Sequence, residues 1–256
     1  MGWPDVDLEA LLERARAFCS YPRIMDPEFV MDPSGHAHAD KLNGEFGFWE
    51  PSENRAYINV PEVYAKLGLE NLESVVVYQL LHYALAPFDV RAALRVTASA
   101  KLALEEVKEK GRKITFEEAL AVQRLFCDMV DVTYAASNGM KEEMVSLYRA
   151  LDNAKGLQGS SMWKFMLCTY EELWDCPGAL IPKVPQGMRE DARQLAVRIL
   201  DRPFAASGWE EKVRLLVGYL HKYYEDPAEM DDSRIMEHGI DEMRSRDAEQ
   251  MLRSLA

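Results

Sequence analysis

His82 lies inside one of the most apolar stretches of the chain, Leu72 to Ala86, which reads LESVVVYQLLHYALA. A 3.6-residue repeat puts Val75, Tyr78, Gln79, His82 and Ala86 along one face of a helix, and Val77, Leu80, Leu81, Ala84 and Leu85 cover much of the rest. A helix apolar all round is expected to be buried all round. A buried polar group without a partner costs roughly 1–3 kcal/mol, so Gln79 and His82 mark either a satisfied core network or a site. Gln123 to Tyr134 is also largely apolar, yet it carries Asp128 and Asp131 at i and i+3, on roughly one helix face. On a functional reading Asp128, with Asp131, completes a residual metal site with His82. On a structural reading one aspartate pairs with His82 or with Arg91, Arg95 or Arg124 and the other is solvated, because two unpaired buried carboxylates are too costly. Both readings place Asp128 near His82.

Other residue groups offer less. Ser34-Gly35-His36-Ala37-His38-Ala39-Asp40 presents two imidazoles and a carboxylate at alternate positions, a pattern that binds a divalent metal if the segment is extended. It overlaps the turn formers Asp32-Pro33-Ser34-Gly35, so an exposed, metal-free loop is the expectation. His221 reads as a helix-surface or packing residue, and His238 is isolated. No dinucleotide fingerprint, phosphate loop or G-x-S-x-G elbow occurs, and Gly156 to Ser161 lacks the lysine of a phosphate loop. Met162, Trp163, Phe165, Met166, Tyr170 and Trp174 crowd one segment at helical spacing and are expected in the core.

The elements that position these groups fall in a simple order. Leu8, Leu11, Leu12, Ala15 and Phe18 form a helical stripe with Asp7 as N-cap. Glu28–Met31, Gly44–Trp49 and Arg55–Val60 are short, aromatic or β-branched runs between turn formers, and predict a small antiparallel sheet over about 28–60. From Pro61 onward the pattern is helical. Pro61–Leu67 ends at Gly68, and Leu72–Ala86 ends at Pro87. Val90–Lys110 ends at Gly111. Thr115 with Glu118 three residues on is a capping box opening a helix to about Ser137, broken by Asn138-Gly139. Further helices are expected near 140–152, 160–174, 187–201, 208–224 and 238–254. The Pro/Gly segment from Cys176 to Gly187 marks the expected boundary between a domain over 1–175 and a helical C-terminal subdomain over 176–256. The fold class expected is α+β, predominantly helical.

The pentapeptide Tyr78-Gln79-Leu80-Leu81-His82 and its surroundings resemble the metal-binding helix of zincin-type metallopeptidases. Tyr57-Ile58-Asn59-Val60-Pro61 is similar to the strand before that helix in a family of prokaryotic members. Leu69 to Val77 resembles their helix entry, His82-Tyr83 with Pro87 and Asp89 their helix exit, and Phe126 to Asp131 the distal helix that supplies a third ligand in some of them. The resemblance covers roughly residues 42–135 and implies a zincin-like core in which 72–86 is the former metal-site helix. In zincins the helix carries His-Glu-x-x-His: two histidines hold zinc and the glutamate is the general base. Here Tyr78 replaces the first histidine, and a phenol with an ordinary pKa of about 10 is a poor ligand at neutral pH. Gln79 replaces the glutamate, and a carboxamide cannot take a proton from water. The resemblance therefore implies a catalytically inactive metallopeptidase-like protein that binds or scaffolds. Its former metal-site positions are Tyr78, Gln79, His82, Asp128 and Asp131, with no cofactor expected. The alternative is a metal-dependent hydrolase holding zinc through an unusual set that includes His82 and Asp128.

Composition limits the partners. There are 43 acidic against 30 basic residues, a formal net charge of −13, which disfavours a nucleic-acid partner. The acidity is partly concentrated from Glu225 onward. Cys19, Cys127, Cys168 and Cys176 form no C-x-x-C pair and read as free thiols of a reducing compartment. No signal-peptide pattern and no apolar run of about 20 residues is present, so a cytoplasmic protein with no membrane association is expected. A protein partner or a homo-oligomer is the expected association.

Overall fold

The computed structural model describes residues 6–19, 25–50, 53, 55–86, 90–108, 112–200 and 204–224. The helix expected over 238–254, His238 and the acidic stretch from Glu225 onward lie outside them. Ten α-helices and three strands are seen among the described residues, so the protein is predominantly helical with one small sheet. No described helix is long and apolar enough to cross a membrane.

Helix α1 (Leu8–Cys19) begins where Asp7 Oδ1 accepts from the Ala10 N–H at 2.9 Å, the cap its sequence predicts. Strands β1 (Glu28–Val30), β2 (Gly47–Glu50) and β3 (Arg55–Asn59) form a sheet of order β1-β3-β2. The expected all-antiparallel sheet is corrected here. β2 and β3 are an antiparallel hairpin, but β1 pairs with β3 in parallel, Phe29 opposite Ile58. The physical reason is the connection. A 3-10 turn at Pro33–Gly35 and the one-turn helix α2 (Ala39–Leu42) carry the chain across the sheet, where a meander needs a tight turn. Asn59 ties the sheet to the next helix, α3 (Val60–Lys66). Its Nδ2 donates to Leu42 O at 2.8 Å, and its Oδ1 accepts from Glu62 N at 3.2 Å, which caps α3.

Gly68, at φ +85°, turns the chain from α3 into a single 3-10 turn and then into α4 (Leu72–Ala84). From Ser74 to His82 every residue of α4 is buried, as its all-round apolarity predicts. Helix α5 (Val90–Val107) leads to α6 (Phe116–Ala135), whose capping box forms: Thr115 Oγ1 accepts from Glu118 N at 3.1 Å and Glu118 Oε2 from Thr115 N at 2.8 Å. Asn138 and Gly139, the latter at φ +106°, break the helical run before α7 (Lys141–Lys155). Helices α8 (Ser161–Trp174), α9 (Gln186–Leu200) and α10 (Trp209–Leu220) complete the described chain. Helix α4 packs on α1, α6 and α7, α5 on α6 and α10, and α8 on α9. One apolar cluster runs from Leu11 to Leu220, and the crowded residues Met162 to Trp174 lie within it.

The Cys176–Pro185 stretch is held from beneath. Glu171 on α8 is fully buried; its Oε1 accepts from the Leu180 and Ile181 amides at 2.7 and 2.8 Å, and its Oε2 from Arg189 Nη1 at 2.9 Å. A single carboxylate thus fixes an irregular segment to the start of α9.

Candidate functional site

Helices α4 and α6 lie side by side with matching polar positions. Tyr78 Oη donates to Asp128 Oδ1 at 2.5 Å. One turn further along both helices, His82 Nδ1 meets Asp131 Oδ2 at 3.0 Å and lies 3.9 Å from Asp128 Oδ1. The spacing explains the two rungs. Tyr78 and His82 are i, i+4 on α4, Asp128 and Asp131 are i, i+3 on α6, and each pair shares a face. The rings of Tyr78 and His82 are nearly parallel, centroids 6.1 Å apart. Asp128 is expected beside His82 and is there, but the imidazole's shorter contact is to Asp131. The expectation that one aspartate is solvated is corrected. Asp128 is 3% and Asp131 0% exposed, because α6 is buried on nearly every side.

Burial sets the electrostatics. Desolvation, reinforced by the neighbouring Asp128 charge, pushes the Asp131 carboxyl well above the usual carboxylate range, while the Ala86 backbone amide works weakly the other way. Desolvation and then Asp128 likewise push the Tyr78 phenol far above its ordinary value, so it stays a neutral donor. Gln79 is 1% exposed, and neither its Oε1 nor its Nε2 has a hydrogen-bond partner among the described residues.

Three residues of this cluster carry no sequence signal. Tyr148 on α7 and Tyr170 on α8 are buried phenols raised first by desolvation; Asp128 acts on both. Their rings touch at 4.8 Å between centroids within an aromatic group that includes Trp163 and Trp174. In sequence they read as ordinary core aromatics, and only tertiary packing brings them toward the α4–α6 seam. Cys19, at the end of α1, is the third: burial, with Asp131 assisting, pushes its thiol up to about 12.

Burial and Asp128 keep the Tyr78 phenol protonated, the Gln79 carboxamide cannot take a proton from water, and the His82 nitrogen nearest the carboxylates is engaged by Asp131. Among the described residues no group of three or more His, Cys, Asp or Glu side chains is arranged to hold a metal ion.

His36 and His38 come together, but not with Asp40, which is exposed at the start of α2. His36 Nε2 meets Glu28 Oε1 at 3.1 Å and His38 Nε2 meets Glu53 Oε1 at 3.3 Å, with Tyr57 donating to Glu53. The His38 amide donates to His36 Nδ1 at 3.1 Å, which places the proton of a neutral His36 ring on Nε2, the nitrogen a metal would need. His221 closes α10, its Nδ1 against Val217 O at 3.2 Å.

No protein-family model, curated protein or solved structure matches this chain.

Proposed function

We propose that this chain is a catalytically inactive metallopeptidase-like protein that acts by binding or scaffolding. The observation that carries the reading is the pairing of Tyr78 with Asp128 and of His82 with Asp131, at 2.5 and 3.0 Å. In a zinc peptidase the helix at this place directs its polar groups at the metal and at water. Here those groups are directed at one another. Gln79 at the base position removes the group that would activate water. A protein or a second copy of this chain is the partner the reading calls for.

Elemental analysis of the purified protein, together with a peptidase assay on unfolded protein substrates, tests the proposal. The expected result is no stoichiometric zinc and no cleavage above background. One tightly held zinc per chain, lost in His82→Ala, overturns it and favours a metal-dependent hydrolase using His82 and Asp128.

A further inference from the structure

We infer that α1 is a strap across the seam between α4 and α6, and that its last turn controls access to the His82–Asp131 pair. The regulatory meaning of the strap rests on the binding role proposed above; its geometry does not.

Helix α1 lies along α4. Near its middle, Arg14 Nε and Nη2 donate to the Glu73 carboxylate at 3.2 and 2.7 Å, in the first turn of α4. At its end Cys19 Sγ stands 4.0 Å from the carbonyl oxygen of Val77, the residue before Tyr78. Phe18 meets Tyr134 of α6 edge-on, with centroids 6.2 Å apart, about one turn beyond Asp131. Tyr134 in turn meets Phe204 edge-on at 5.2 Å. The final turn of α1 therefore touches both helices that carry the pair, and Asp131 is near enough to act on the Cys19 thiol.

The middle of the strap is packed on α4, and its last turn is held less tightly. Within α1 only Leu11 and Ala15 are buried, with Leu8, Phe18 and Cys19 partly covered. Its charged ties, Arg14–Glu73 and Arg16–Asp26, involve exposed side chains, a class of ion pair that contributes little and weakens with salt. Helices α4 and α6 bury nearly every residue by contrast. A segment with few buried apolar contacts opens at lower free energy than the core it covers. Helix α1 lifts while α4 and α6 stay packed, and lifting takes Cys19 off the Val77 carbonyl and Phe18 off Tyr134, about one turn from Asp131.

Site-resolved labelling of the full chain tests this. A maleimide reads Cys19 against Cys168, which is fully buried in α8 and reports global opening. Diethyl pyrocarbonate, read by peptide mass spectrometry, reports His82. Cys19 is expected to label at least about tenfold faster than Cys168. Arg14→Glu is expected to speed both Cys19 and His82 by about two- to fivefold, leaving Cys168 unchanged, and Arg14→Lys to restore the slower rates. The inference is overturned if Cys19 reacts no faster than Cys168, or if Arg14→Glu accelerates Cys19 and leaves His82 as it was. Neither outcome touches zinc content or peptidase activity, which test the proposed function separately.

Discussion

Replacing Gln79 by methionine should make this protein more stable, although it removes a polar residue from the cluster that gives the chain its character. Both carboxamide atoms of Gln79 are buried without a hydrogen-bond partner among the described residues. Desolvating an unsatisfied amide costs about 1–3 kcal/mol on the scale of protein mutational data. Methionine is close in volume and adapts its rotamers, so the substitution introduces little strain. The expected gain is about 2 kcal/mol, which for a urea slope of roughly 3 kcal/mol/M moves the midpoint up by about 0.7 M. Tyr78→Phe, one residue away, should do the reverse. It deletes a donor to Asp128 at 2.5 Å and leaves the ring in place. Losing a hydrogen bond to a carboxylate in a buried setting costs about 1.5–3 kcal/mol. Urea unfolding followed by tryptophan fluorescence measures both in one series. A Gln79→Met midpoint at or below wild type would refute the reasoning, since it would mean that the carboxamide is engaged by a bound group and is not idle.

Asp131→Asn should change how stability depends on pH. The folded-state pKa of Asp131 is raised, so between the unfolded value near 4 and that higher folded value the native state holds a proton the unfolded chain has lost. Stability of the wild type then falls as pH rises through that window, and the asparagine variant escapes the loss. Relative to wild type the variant should therefore gain as pH goes from 4 to 7; a constant difference across that range speaks against a raised carboxyl. Glu171→Ala should lower unfolding free energy by about 2–4 kcal/mol, because it leaves the two buried amides of Leu180 and Ile181 without their acceptor, and Glu171→Gln should cost less. Thermal melts compare the two, and equal losses would mean the charge is irrelevant.

How much of the fold and of the site is legible in the chain divides along the range of the forces involved. Asp7 and Thr115 announce their helices because a cap is made within three or four residues. The burial of Leu72 to His82 comes from its composition alone. The pairing of β1 with β3 is non-local: whether Glu28–Val30 lies parallel or antiparallel to Arg55–Asn59 depends on the path of residues 31–46, which alternation within a strand does not record. The same limit applies at the site. The i, i+4 and i, i+3 spacings put Tyr78 with His82 and Asp128 with Asp131 on shared faces, and so predict a meeting. Which aspartate takes the imidazole depends on how far α6 slides along α4, a quantity set by packing. Tyr148 and Tyr170 are out of reach for that reason as well.

The break at Asn138-Gly139 also limits how this chain can vary. Asp128 and Tyr148 are twenty positions apart in sequence, which in an uninterrupted helix would be about 30 Å, yet the Asp128 charge reaches the Tyr148 phenol. The kink between α6 and α7 makes that proximity possible, and its length sets the angular phase of α7. Adding or deleting one residue between Ala136 and Met140 would rotate α7 by about 100° and swing Tyr148 off the cluster while pointing a neighbour such as Arg149 toward it. The joint is therefore expected to be intolerant of length change, as well as of any side chain at Gly139, which sits at φ +106°. Loops elsewhere on the surface are not bound by any such phase.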